Sequence, residues 1–172
     1  MPDLIVVGGA PGSGKSTISQ LLREQLQSPC IDFGWLREFH MEYGWTNASP
    51  EEENMSFENL LYIVRNYFRH GYKNVILTDL EDFRLAEIPI YFRYDDFVIA
   101  TLVVHDDAEL KRRVLLPERD SGYRDFASSI AWNRGILERP AARNEHKIDN
   151  TSPDPGPALE AILALIGRYS AA

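Results

Sequence analysis

The chain has 172 residues, 44% hydrophobic and 26% charged, the composition of an ordinary soluble globular protein with enough apolar content for one full core. A formal net charge of −8 argues against bulk, sequence-independent nucleic-acid binding, and the single cysteine, Cys30, excludes an internal disulfide and reads as a small buried hydrophobe of a reducing compartment. No apolar run approaches membrane-spanning length, and Asp3 stands where a signal peptide wants basic residues, so a cytoplasmic protein without a membrane partner is expected.

The first predicted element is a strand from Asp3 to Val7, almost wholly apolar, as a strand covered on both faces must be. It runs into Gly9-Ala10-Pro11-Gly12-Ser13-Gly14-Lys15-Ser16: a glycine, four free positions, glycine, lysine and serine between a strand and a helix, the spacing of a phosphate-binding loop. A triphosphate needs many donors and little bulk, and glycines let successive backbone N–H groups turn inward around its oxygens. The following helix adds its N-terminal dipole. Lys15 is expected on the β- and γ-phosphates, the Ser16 hydroxyl on Mg²⁺ and the Thr17 hydroxyl on a phosphate. A dinucleotide loop does not fit, because Thr17 follows Gly12-x-Gly14 where that fingerprint needs glycine or alanine.

Ile18, Leu21, Leu22 and Leu26 form the inward stripe of the first helix, and Ser28-Pro29 ends it. A short second strand, Cys30-Ile31, delivers Asp32 to the carboxyl edge of the sheet, where α/β proteins place their ligands. Asp32 is either the carboxylate that takes a proton from an acceptor or the cap of the next helix. That helix, within Gly34 to Gly44, carries Arg37 and His40; Trp35, Phe39 and Tyr43, with Trp45 beyond, are either a pocket wall beside Asp32 or core. Ser49-Pro50 opens a longer helix whose first turn holds Glu51, Glu52 and Glu53 and whose core stripe is Phe57, Leu60, Leu61, Val64 and Phe68.

Gly71 stops this helix, and Val75-Ile76-Leu77-Thr78-Asp79 follows as a third buried strand ending in a carboxylate, which beside a phosphate loop is the pattern of a Mg²⁺-holding aspartate. Residues 81–93 are expected as a helical or irregular crossover interrupted at Pro89. Phe97 to Val104 is the clearest strand; Asp106 or Asp107 caps the next helix, with Leu110 and Val114 inward. His105 reads as a loop histidine, and Arg112 and Arg113 either reach the phosphates or face solvent. A polar stretch over residues 117–125 leads to a helix from Asp125 to Arg139 with Phe126, Ile130 and Leu137 inward and Arg134 near that face. His146 to Asp149 is the last strand, and Leu159, Ile162, Leu163 and Ile166 line the last helix. Strands alternating with helices predict a three-layer α/β/α sandwich around a five-stranded parallel sheet, a single domain over residues 1–172.

The order of these motifs resembles the small-molecule and nucleoside-monophosphate kinases of the adenylate-kinase-like P-loop group over essentially the whole chain. Gly9 to Lys15 looks like the adenylate kinase loop, while Ser16-Thr17 is similar to gluconate and shikimate kinases. The resemblance implies a short lid at about residues 117–125, matched by Arg119-x-x-Gly122-x-Arg124-Asp125, with Arg119 catalytic and Arg124 on the nucleotide. Arg134 falls where such kinases carry a further phosphate-binding arginine, and Ile148-Asp149-Asn150-Thr151-Ser152 resembles the loop beside the adenine. The chain departs from adenylate kinases after the third strand, where Thr78-Asp79-Leu80-Glu81-Asp82 replaces an Asp-Gly-aromatic-Pro-Arg signature. Asp32 to Arg37 is closer in character to shikimate, gluconate and chloramphenicol-type kinases.

The implied activity is transfer of the γ-phosphate of ATP, with Mg²⁺ on Ser16 and Asp79, to a hydroxyl or phosphate of a small molecule such as a sugar acid, a nucleoside or nucleotide, or an antibiotic. The catalytic set is then Lys15, Asp32, Arg119 and Arg134. The alternative is a nucleotide-binding regulatory or accessory P-loop NTPase without a small-molecule acceptor. A GTPase version has only His146-Lys147-Ile148-Asp149, one residue away from the guanine signature, and lacks any Asp-x-x-Gly switch motif.

Overall fold

Apolar residues that alternate between two faces build the sheet. In the computed structural model, which describes residues 2–39, 49–93, 96–118 and 121–170, β1 (Leu4–Gly9) sends Leu4 and Val6 into one core and Ile5 and Val7 into another. β3 (Val75–Thr78) and β4 (Phe97–Val103) flank it and divide their side chains in the same way. β2 (Cys30–Asp32) and β5 (Glu145–Asp149) form the edges, so the order is β2-β3-β1-β4-β5 with every pair parallel. Val6 of the central strand sits opposite Leu77 on one side and Ile99 on the other.

On one face, α3 (Pro50–Arg69) and α4 (Asp82–Tyr91) bury Phe57, Leu60, Val64, Leu85 and Ile88, joined by Phe33 from α2 (Phe33–Glu38). On the other, α1 (Lys15–Leu26) and α7 (Gly156–Ser170) bury Ile18, Leu22, Ile162 and Ile166. The expected three-layer sandwich is therefore the observed one. Ser49 caps as expected, Asp106 proves to be the cap left open between Asp106 and Asp107, and Asp125, expected as the first helical residue, is a cap as well. Ser49 and Glu52 form a reciprocal capping box, Asp106 accepts from the Ala108 N–H to open α5 (Asp107–Val114), and Asp125 accepts from the Ser128 N–H to open α6 (Phe126–Glu138).

Three local expectations are corrected. α4 runs through Pro89 to Tyr91 instead of breaking there, because a proline in the last turn removes only one ladder bond. Asp79 lies just beyond β3 with left-handed backbone and does not end the strand. The buried residues of α6 are Ser129, Asn133 and Ile136, while Phe126, Ile130 and Leu137 are only half-buried. Polar residues occupy that face because it covers unpaired backbone. Asn133 accepts from the Val104 N–H at 3.1 Å and donates to the Val104 carbonyl at 2.7 Å, and Ser129 Oγ donates to the Pro11 carbonyl.

Below α6, Arg139 forks to both oxygens of Asp82, at the start of α4, and to both oxygens of Glu145 on β5. The Glu145 side chain is fully enclosed and also accepts from Thr101 Oγ1 at 2.6 Å. Burial works to raise its carboxyl, yet the hydrogen bonds from Arg139, Thr101 and the Ala142 N–H outweigh it and hold the group below its usual range. Among the described residues no helix is long and apolar enough to cross a membrane.

Candidate active site

Parallel strands bring their carboxyl ends to one edge, and here that edge collects the charged residues. β1 leads into the loop at Gly9 to Gly14. Gly9 has φ 134°, and a Cβ there would lie 2.7 Å from the Leu102 carbonyl; at Gly12, φ 84°, it would lie 2.7 Å from Val114 Cγ2. Side chains only just accommodate this loop, and two polar latches hold its outer carbonyls. Ser129 donates to Pro11, and Asn150 Nδ2 donates to the Ser13 carbonyl at 2.7 Å. Lys15 begins α1 and folds its ammonium back onto the Gly9 carbonyl at 2.9 Å, with Asp79 Oδ1 at 3.9 Å. Ser16 and Thr17 stand exposed on the first turn of α1, where the unpaired N–H groups and dipole favour an anion.

Asp32 ends β2, and Asp79 follows directly on the end of the neighbouring β3. Asp32 caps α2 by accepting from the Gly34 N–H at 2.9 Å. Asp79 adopts φ 63°, left-handed backbone that aspartate tolerates better than most side chains, and this turns its carboxylate toward Lys15 and Gly34. Gly34 is the point where the two carboxylates meet: a Cβ there would be 3.0 Å from Asp32 Oδ1 and 3.0 Å from Asp79 Oδ2. Burial, then the Asp79 charge, push the Asp32 carboxyl above the usual aspartate range, against the pull of the Gly34 N–H, Lys15 and Arg37. Asp32 is thus both a helix cap and a carboxyl group of raised proton affinity.

Arg37 of α2 closes the far side. Its guanidinium lies 5.3 Å from the Phe33 ring centroid and faces Asp79 at 3.5 Å, Glu81 at 3.5 Å and Glu53 at 3.9 Å. Of the candidate aromatics, Trp35 and Phe39 are not core, being 66% and 81% exposed. Tyr43 and Trp45, like His40, lie outside the described residues.

The lid arginines are placed unevenly. Arg119 lies outside the described residues. Arg124 is exposed and donates to the Tyr123 carbonyl, and Arg134 is an ion-pair partner of Asp107 across α5 and α6. Arg113 neither reaches toward the phosphate loop nor faces solvent. It donates to the carbonyls of Asn150, Thr151 and Ser152 at 2.7, 2.9 and 2.7 Å and is braced by Glu109 at 2.7 Å. Arg113 therefore positions the segment from which Asn150 holds Ser13. No hydrophobic pattern could have flagged Arg113, Ser129 or Gly34, because each matters through a partner distant in sequence or through the absence of a side chain.

For Mg²⁺ the donor set fits. The Ser16 hydroxyl and the Asp79 carboxylate are hard oxygen donors, and Asp79 is crowded by the like charge of Asp32, which a cation relieves. Among the described residues no group of three or more His, Cys, Asp or Glu could hold a metal ion.

Residues 5–125 match the family model described as an AAA domain. A protein of Thermococcus kodakarensis named "Putative adenylate kinase" is 28% identical over 96% of this chain and 86% of its own length. Among solved structures, a gluconokinase from Sinorhizobium meliloti superposes with a TM-score of 0.69 at 16% identity, over 98% of this chain and 94% of that one. A shikimate kinase from Bacteroides thetaiotaomicron gives 0.66 at 18% identity, over 95% and 98%. These structural likenesses establish the shared P-loop fold.

Proposed function

The chain belongs to the AAA domain family of P-loop proteins, and from that footing we propose that it is an ATP-dependent small-molecule kinase, one functional unit over its whole length with a lid at about residues 117–125. The observation that carries the reading is the second carboxylate. Nucleotide binding alone asks for Lys15, the loop amides and one metal-side acid, whereas Asp32 adds a proton acceptor across Gly34 from Asp79. The name of the archaeal relative supports phosphoryl transfer.

In this mechanism the loop amides and Lys15 hold the β- and γ-phosphates of ATP, and Ser16 and Asp79 would hold Mg²⁺. The ion, when bound, neutralises charge developing between those phosphates. Asp32 orients an acceptor hydroxyl and takes its proton as the hydroxyl oxygen bonds to the γ-phosphorus and the bond to the β,γ-bridging oxygen breaks, leaving ADP. Arg119, Arg124 and Arg134 complete the positive surface when the lid closes. Arg134 must first leave Asp107.

The test is ADP formation measured against a panel of sugar acids, nucleosides and nucleotides, and hydroxylated antibiotics. Turnover is expected to rise with one class of acceptor. ATP hydrolysis indifferent to every acceptor would instead identify a regulatory or accessory NTPase.

A further inference from the structure

The outward face of α3 carries a seam of exposed side chains. Glu51, Met55, Glu58, Tyr62, Arg65 and Arg69 follow one another at intervals of four, three, four, three and four residues, which sets them in one stripe along the helix, and all six are exposed. A different stripe, Phe57, Leu60, Leu61 and Val64, holds the helix to the sheet. Tyr62, near the middle of the seam, is 70% exposed and Met55 42%. Among the described residues Glu51, Glu58, Arg65 and Arg69 enter no ion pair, whereas Glu53, off the seam, faces Arg37 of α2. Arg65 and Arg69 stand one turn apart with no acid three or four residues from either, so they repel each other and nothing on their own helix relieves them.

We propose that this seam joins two copies of the chain, α3 against α3 in antiparallel orientation, about a two-fold axis at the level of residue 60. The stripe is a palindrome of complementary groups about that level. Positions equally far from it are 51 and 69, 55 and 65, and 58 and 62. An antiparallel second copy therefore sets Glu51 against Arg69, Met55 against the aliphatic stem of Arg65, and the Tyr62 phenol as donor to the Glu58 carboxylate, each contact occurring twice by symmetry. Other arrangements of the same face fail on charge. A parallel pair sets acid on acid and arginine on arginine, and an antiparallel pair centred on residue 58 sets Glu58 on itself. With a net charge of −8 on each chain two copies repel overall, and a face that opposes arginines to acids is the kind that still lets them meet. From Glu51 to Arg69 the seam is about 27 Å long. One helix from each copy makes a small interface, so the dimer is weak and reversible, with a Kd on the order of 10 μM. None of the six residues belongs to the candidate active site, and the association stands independently of the kinase reading.

Sedimentation equilibrium of the whole chain from about 1 to about 200 μM tests this. A monomer–dimer equilibrium is expected. Tyr62→Ala and Arg69→Glu are each expected to weaken it on the order of tenfold, because symmetry makes each change count twice. Arg168→Glu, which makes the same change of charge on α7 across the sheet, is expected to leave the Kd within about twofold. The double variant Glu51→Arg with Arg69→Glu brings opposite charges together again and is expected to recover the dimer, with thermal melts showing that each variant is folded. A chain that stays monomeric at every concentration overturns the proposal, leaving the gradient of charge along α3 to the helix dipole and the seam to solvent or to a partner of another sequence. A dimer indifferent to Tyr62→Ala and Arg69→Glu overturns it as well, since the copies then meet by another face. A folded double variant no better associated than Arg69→Glu alone overturns the antiparallel pairing.

Discussion

The carboxylates of Asp32 and Asp79 meet over Gly34, each with an oxygen 3.0 Å from where a Cβ would stand. A methyl group there must displace one acid or the start of α2. Gly34→Ala is expected to lower phosphoryl transfer about 10–10²-fold through misplacement of the reacting groups, while helix α2 itself gains from the better helix former. Activity within twofold of wild type would show that the spacing of the two acids is immaterial.

Asp32→Asn keeps a side-chain oxygen to cap α2 but removes the proposed proton acceptor, so nucleotide binding is expected to persist while transfer slows about 10²–10⁴-fold. The pH profile carries a sign. With the folded carboxyl raised above its ordinary value of 3.8, Asp32 favours the folded state at acid pH, and this contribution is lost as pH rises through the folded value. The asparagine variant is therefore expected to melt at a higher temperature than wild type at neutral pH, and the acid limb of the kcat/KM profile to disappear.

Lys15→Ala removes the cation that Gly9 and Asp79 now hold. ATP turnover is expected to fall below detection in a coupled assay with the fold retained by circular dichroism. Wild-type turnover would remove the phosphate loop from the mechanism.

Arg139→Ala strands Glu145, whose side chain has no exposure. Loss of one partner of an enclosed pair leaves a buried charge, and a destabilisation of about 3–5 kcal/mol is expected in urea unfolding. The variant Thr101→Val, which removes a single neutral donor to the same carboxylate, is expected to cost less.

Hydrogen bonds from Arg112, then from Arg113, hold the Glu109 carboxyl down at about 2. A lowered carboxyl contributes stability that is present above its ordinary value of 4.5 and is lost as pH falls toward the folded value. Thermal melts between pH 5 and about pH 2 should show this loss in wild type and a smaller one in Glu109→Gln. Because Arg113 carries the segment around Asn150, Arg113→Met is expected to weaken binding of a non-hydrolysable ATP analogue about tenfold, read by equilibrium titration.

The amino-acid sequence by itself determined the phosphate loop, the alternation of strands and helices, the cap at Ser49, the choice of Asp106 or Asp107 as the cap of α5, and the two-faced apolar strands. These are local: glycine spacing, hydrophobic period and capping chemistry are written within a few residues of one another. The strand order β2-β3-β1-β4-β5, by contrast, depends on which distant apolar faces pack together, and only the tertiary structure decided it. The same holds for the polar inner face of α6, read as apolar from Phe126, Ile130 and Leu137. Ser129 and Asn133 are buried because backbone carbonyls at Pro11 and Val104 need partners there. Sequence placed Asp32 and Asp79 at strand ends but could not bring them together over Gly34, nor show that Arg113 braces the chain that holds Ser13. A side chain's chemistry is fixed by its type, whereas what it does is set by the neighbour that folding supplies, and in this protein those neighbours come from other strands and helices.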